Sequence, residues 1–154
     1  DPKNARAYND RGVAKHDIGN FDQALADFDK ALELDPKFAL AHSNRGAALY
    51  KTGNLAQAVA AFDKAIALDP KSADAYSGRG VAYRDQSQFD KALADFDKAI
   101  SINPKYANAY LGRGITYQRT GRNAQAVSDF QTYLKLAPNA PDRNQVQQLI
   151  NQLK

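Results

Sequence analysis

The chain has 154 residues, 44% of them hydrophobic and 25% charged, with a formal net charge of +4. That balance suits a folded domain with a sizeable core and excludes wholesale disorder. The basic excess is too small and too interspersed for a polybasic nucleic-acid or membrane patch. Cysteine is absent, which removes disulfides and thiolate chemistry, and no apolar run approaches the ~18 residues that cross a bilayer.

The chain opens on Asp1-Pro2-Lys3. From Ala5 to about Ile18, Tyr8, Gly12 and Ala14 fall at helical spacing, and Gly19-Asn20 supplies a turn. Phe21, Ala24, Leu25, Phe28, Ala31 and Leu32 then step by three and four, which draws one apolar stripe along a second helix. Asp35-Pro36-Lys37 ends that helix, because the residue before proline is pushed out of the α region. The same order of helix, turn, helix and proline joint recurs. Gly53-Asn54, Ser87-Gln88 and Gly121-Arg122 mark the later turns, and Pro70, Pro104 and Pro138 mark the later joints.

Prolines 2, 36, 70, 104 and 138 are spaced by 34 residues, and residues 5–38 and 73–106 share 20 identities in 34 positions. The chain is therefore four tandem units, 5–38, 39–72, 73–106 and 107–140. Gly12, Ala24 and Ala31 lack bulk where two helices must approach, and Tyr8 and Phe28 fill the space beside them. One helix pair cannot bury both of its apolar faces, so neighbouring pairs stack and bury them jointly. Beyond Pro138, Val146, Leu149, Ile150 and Leu153 share one side of a polar stretch. It is expected to form a capping helix over 142–153, within a terminal segment 141–154, at the natural C-terminus. The opening Asp-Pro-Lys has the sequence of an inter-unit joint, and no methionine is present. The expectation is that a further pair lies upstream, and that the N-terminal face self-associates without it.

Tyr8, Gly12, Ala24, Phe28, Ala31 and Pro36 in the first unit, and Tyr76, Gly80, Tyr83, Ala92, Phe96, Ala99 and Pro104 in the third, give a pattern that resembles the tetratricopeptide repeat family. The resemblance spans residues 5–140. It implies an all-α fold, an α-α superhelix of four helix pairs plus the capping helix. It departs from the family at His42, at Lys15 and Leu49 in a Tyr slot, and at Tyr133 in a small-residue slot. Arg11, Arg45, Arg79 and Arg113 stand where the family usually has Leu. We read these arginines as structural, with Asp29, Asp63 and Asp97 as their partners. A ladder of anion-binding arginines is the alternative.

The resemblance also implies that the first helix of each pair lines a concave groove for a protein or peptide ligand. By phase, the groove residues are Asn9, Ser43, Asn44, Tyr50, Lys51, Ser77, Arg84, Asn108, Leu111 and Arg119. Asn9, Asn44, Ser77 and Asn108 suit hydrogen bonds to a peptide backbone. Tyr50 and Leu111 suit apolar contact, and Gly78 and Gly112 would leave room for a ligand side chain. Lys51, Arg84 and Arg119 would attract an acidic group. Members that clamp a chaperone C-terminal carboxylate use Lys, Asn and Arg there. Only Asn44 matches, since Asn9, Val13, Asp74 and Gly78 fill the other slots, so no such clamp is expected.

Nothing in the chain carries catalytic, metal or cofactor chemistry. It has two histidines, His16 and His42, with no phosphate-cradling loop. Asp10, Asp74 and Asp85 interrupt any basic stripe along the groove, so nucleic acid is not expected as a partner, nor is a membrane. End-to-end self-assembly and RNA reading by helix pairs are the competing functions.

Overall fold

The computed structural model describes residues 4–153, so the Asp1-Pro2-Lys3 joint lies outside the described residues. Among them are nine α-helices: α1 (Ala5–Asp17), α2 (Phe21–Leu34), α3 (Ala39–Lys51), α4 (Leu55–Leu68), α5 (Ala73–Asp85), α6 (Phe89–Ile102), α7 (Ala107–Arg119), α8 (Asn123–Leu136) and α9 (Arg143–Leu153). The odd-numbered helices α1–α7 are the first helices of the four pairs. The architecture is the all-α stack of helix pairs with a closing helix that the sequence predicts.

Local chemistry explains the breaks. Gly19, Gly53 and Gly121 take φ values of +81°, +80° and +74°, and Ser87 takes +60° in the third turn. In this left-handed conformation the N–H of Asn20 reaches back to the Lys15 carbonyl at 2.9 Å, satisfying a carbonyl that the helix end leaves open. At the proline joints, Asp35, Asp69 and Asn103 accept a hydrogen bond from the backbone N–H two residues on, at 3.0, 3.0 and 3.1 Å. That Asx turn is why an Asp or Asn precedes each of these prolines.

The four phenylalanines of the second helices do not share one centre. Phe62, Phe96 and Phe130 each sit in a separate apolar cluster, as does Phe28 with Ala24 and Ala48. A Cβ on Gly12 would lie 2.6 Å from the Phe28 ring, and one on Gly46 would lie 2.9 Å from the Phe62 ring. These glycines exist to admit the ring of their own pair. Gly78 does the same for the preceding pair, because its Cβ would lie 2.5 Å from Phe62. Gly112 meets Phe96 in the same way. The expectation that Gly78 and Gly112 leave room for a ligand is therefore corrected: the space is already filled by a neighbour's phenylalanine.

The arginines tie pair to pair. Arg79 donates through Nε and Nη2 to Asp95 at 2.8 and 2.7 Å, and through Nη1 to Asp63 at 2.6 Å. Arg113 does the same with Asp129 (2.8 and 2.8 Å) and Asp97 (2.6 Å). The expected partners Asp63 and Asp97 are thus present, but the bidentate partner is a second aspartate of the arginine's own pair. Asp27, Asp95 and Asp129 are buried, whereas Asp29, Asp63 and Asp97 are exposed. The hydrogen bond from Arg11 pulls the Asp27 carboxyl below its usual range, and Lys15 adds to this. Hydrogen bonds to Asp95 and Asp129 raise Arg79 and Arg113 above the usual arginine value.

At the far end, α9 lays Val146 and Ile150, 2% and 1% exposed, against Phe130, Tyr133 and Leu134. Tyr133 replaces a small residue because this pair packs against α9. Its hydroxyl donates to Asp142 at 2.6 Å, and burial followed by that bond pushes its pKa up to about 12.

Candidate interaction groove

Each first helix touches the first helix of the next pair (α1 with α3, α3 with α5, α5 with α7), whereas among the described residues no two second helices touch. Closer approach on one side bends a stack toward that side, so the odd-numbered helices line the inner surface. A cleft of about 650 Å³ lies there, within the range of small-ligand and peptide pockets. Its floor is apolar, formed by Ala47, Val81, Leu111 and Ile115, with the Phe62 ring reaching it past Gly78.

Of the sequence-predicted residues, Ser43, Asn44, Tyr50, Lys51, Ser77, Arg84, Asn108 and Leu111 line this cleft, while Asn9 and Arg119 do not. Asn9 is 1% exposed. Its oxygen accepts from Asn44 Nδ2 at 2.9 Å and its own amide donates to Asp10 at 3.2 Å. It is a strut between α1 and α3, so its expected bond to a peptide backbone is corrected. Ser43 and Ser77 are also buried and present little surface to a ligand.

The positive edge is largely matched internally. Asp85, at the end of α5, accepts from Tyr50 Oη at 2.7 Å, Arg84 Nε at 3.0 Å and Arg119 Nη1 at 3.2 Å. Burial pushes the Asp85 carboxyl up, but the hydrogen bonds from Arg84 and Tyr50, with the charges of Arg84 and Arg119, hold it below its usual range. Burial and Asp85 together raise Tyr50. Arg84 and Arg119 therefore offer less charge than counted from sequence. Lys51 lies on the same edge, exposed, with no carboxylate partner among the described residues.

Among the lining residues, Phe62 and Tyr106 escaped the sequence reading. Tyr106 precedes α7 and its hydroxyl donates to Asp74 at 2.6 Å; burial, then this carboxylate, raises its pKa well above the tyrosine norm. An aromatic just before a first helix, as also at Phe38, was the available signal. His16 lines the other end, its ring centroid 5.2 Å from that of Phe21 in an edge-on arrangement and its Nε2 buried without a hydrogen-bond partner. Among the described residues no group of three His, Cys, Asp or Glu side chains suits a metal, and no helix is long and apolar enough to cross a membrane.

Models of the tetratricopeptide repeat match residues 1–37 and 9–73, 61–94, and 80–151. No curated protein sequence matches. Among solved structures, MamA is 32% identical with a TM-score of 0.77 over 90% of this chain and 81% of that one. The first tetratricopeptide domain of Spaghetti, bound to the HSP90 peptide SRMEEVD, is 26% identical with a TM-score of 0.68 over 75% of this chain and 92% of that one. PilF of Pseudomonas aeruginosa is 23% identical with a TM-score of 0.82 over 97% of this chain and 76% of that one, a likeness of fold.

Proposed function

Since the chain belongs to the tetratricopeptide repeat family, we propose that it is a protein-interaction scaffold whose inner cleft holds a segment of a partner polypeptide. The observation that carries this is the cleft itself, an apolar floor rimmed by hydrogen-bonding side chains from α3, α5 and α7. An aliphatic or aromatic side chain of the ligand sits on Val81, Leu111 and Ile115. Asn44 and Asn108 bond its backbone, and Lys51 receives an acidic group. We assign the scaffold no catalytic role.

The chaperone-tail ligand seen with Spaghetti is not carried over. Asp74 stands in a cationic slot of that clamp and is already held by Tyr106, and Asn9 is engaged by Asn44. A peptide library selected on the intact chain, followed by calorimetry of the best binder, tests the proposal. Substituting Asn44, Tyr50 and Arg84 by alanine is expected to weaken binding at least tenfold, while Lys98→Ala on an exposed second-helix face leaves it unchanged. Binding indifferent to the three groove substitutions removes the proposal. Micromolar binding of SRMEEVD removes the part that denies a chaperone-tail clamp.

A further inference from the structure

Three of the four pairs carry the same buried fork. Arg11, Arg79 and Arg113 each present Nε and Nη2 to an aspartate sixteen residues on, Asp27, Asp95 or Asp129. In the second pair that place is held by Ala61, 4% exposed. Arg45 has lost its bidentate partner. It turns Nε to the exposed Asp29 at 2.6 Å, and among the described residues neither Nη has an acceptor. An alanine where its counterparts are aspartates also leaves space. A cleft of about 490 Å³ opens there, lined by Arg45, Ala61, Lys64, His42 and Asp29 among others, and it shares no residue with the inner groove.

The chemistry around the gap is one-sided. Lys64 is exposed and has no carboxylate partner among the described residues. His42 uses Nε2 on the Pro36 carbonyl at 3.0 Å, leaving Nδ1. Against these, Asp29 is the single carboxylate, and it occupies only one N–H of the guanidinium. A guanidinium edge with free donors, beside an ammonium, selects a planar two-oxygen anion.

We propose that the gap beside Ala61 is a carboxylate-binding notch, distinct from the groove, that takes an aspartate or glutamate side chain from a protein partner. The incoming carboxylate takes the two free Nη donors of Arg45, whose Nε stays on Asp29, and Lys64 meets one of its oxygens from the side. A side chain is the favoured source because in the other pairs the fork is filled by one. The scaffold then has two contact points on different faces, so one partner seated in the groove leaves the notch open to another.

The arginine Nε–Hε resonances of the intact chain, followed by NMR while acetate replaces chloride at constant ionic strength, test this directly. The Arg45 signal is expected to shift saturably as acetate rises, while the Arg79 and Arg113 signals stay still. Ala61→Asp fills the notch from within. It is expected to start near the shifted position and to lose the acetate response at least tenfold. Should that variant misfold, Arg45→Lys keeps the charge without the fork and is expected to abolish the response at the Ala60 and Gln57 amides. N-acetyl-aspartyl amide binding more tightly than acetate supports a side chain of a partner; equal or weaker binding overturns that source. An unsaturable or absent Arg45 shift, the same shift at Arg79, or an unchanged response in Ala61→Asp overturns the notch.

Discussion

Arg113 and Arg45 occupy the same place in the 34-residue period, yet replacing each with methionine should have very different costs. Methionine keeps most of the aliphatic stem and removes the guanidinium. At Arg113 this strands Asp129, whose side chain is 7% exposed and which receives two hydrogen bonds from that one group. Removing one partner of a buried pair costs about 3–5 kcal/mol, and the lower end applies because Arg113 is itself 20% exposed. At Arg45 the only ion pair lost among the described residues is with Asp29, 53% exposed, a surface contact of about 0–1 kcal/mol. With roughly 2–4 °C per kcal/mol for a chain of this size, Arg113→Met should lower the melting temperature by about 6–12 °C and Arg45→Met by no more than about 4 °C. Arg113 also lies 5.6 Å over the Tyr110 ring and 5.9 Å over Tyr117, so lost stacking is a competing explanation. The double variant Arg113→Met with Asp129→Leu separates the two. If the stranded carboxylate is the cost, it recovers most of the loss; if stacking is, it recovers none. Equal melting temperatures for the two single variants, by calorimetry, would refute the reasoning.

Among the described residues, Ser87 alone holds a left-handed turn without being glycine. Ser87→Gly removes about 1–2 kcal/mol of strain against about 0.4–1 kcal/mol of added unfolded-state freedom, so thermal melting should rise slightly; a fall contradicts it. Tyr133→Phe removes the bond to Asp142, worth about 1–3 kcal/mol for a charged acceptor, and hydrogen exchange over 143–153 should quicken while α1–α6 is unaffected. The lowered pKa of Asp27 makes its contribution present above the unfolded carboxylate value and lost as pH falls through the folded one. Stability should therefore decline below about pH 4, and Asp27→Asn, less stable at neutral pH, should decline less steeply in a melting series.

The fold was legible because its information is local and repeated. Glycine turns, Asx-proline joints and the three-four apolar step each act within a few residues, and four copies in phase leave no other reading. The groove was legible only in outline, since phase alone says which side a residue takes and not what it touches there. Asn9 and Asn44 lie 35 residues apart and satisfy each other; so do Tyr50 and Asp85. Pairs one period apart were open to inspection, as Asp85 and Arg119 show, and charges counted singly hid them. The aspartates 29, 63 and 97 stood out as an unbroken series, whereas 27, 95 and 129 were masked by the break at Ala61. Glycines 78 and 112 misled for a different reason: a missing side chain gives no sign of which neighbour takes its place.

The same packing sets how the inner face can vary. Where the next pair offers glycine, at Gly78 and Gly112, a phenylalanine ring from the preceding pair reaches between adjacent first helices. Where it offers Asn44, the junction is instead spanned by a polar strut to Asn9. Overpacking at a glycine junction displaces a core ring at about 1–3 kcal/mol, so that position is not free for tuning recognition. Lys51 and Asn108 lie on the cleft wall without such a duty, and a substitution there changes the surface without moving the frame. Specificity in this scaffold should therefore shift through those positions, while Gly78 on the cleft and Asp85 behind Tyr50 and Arg84 should resist change because each also holds helix pairs together.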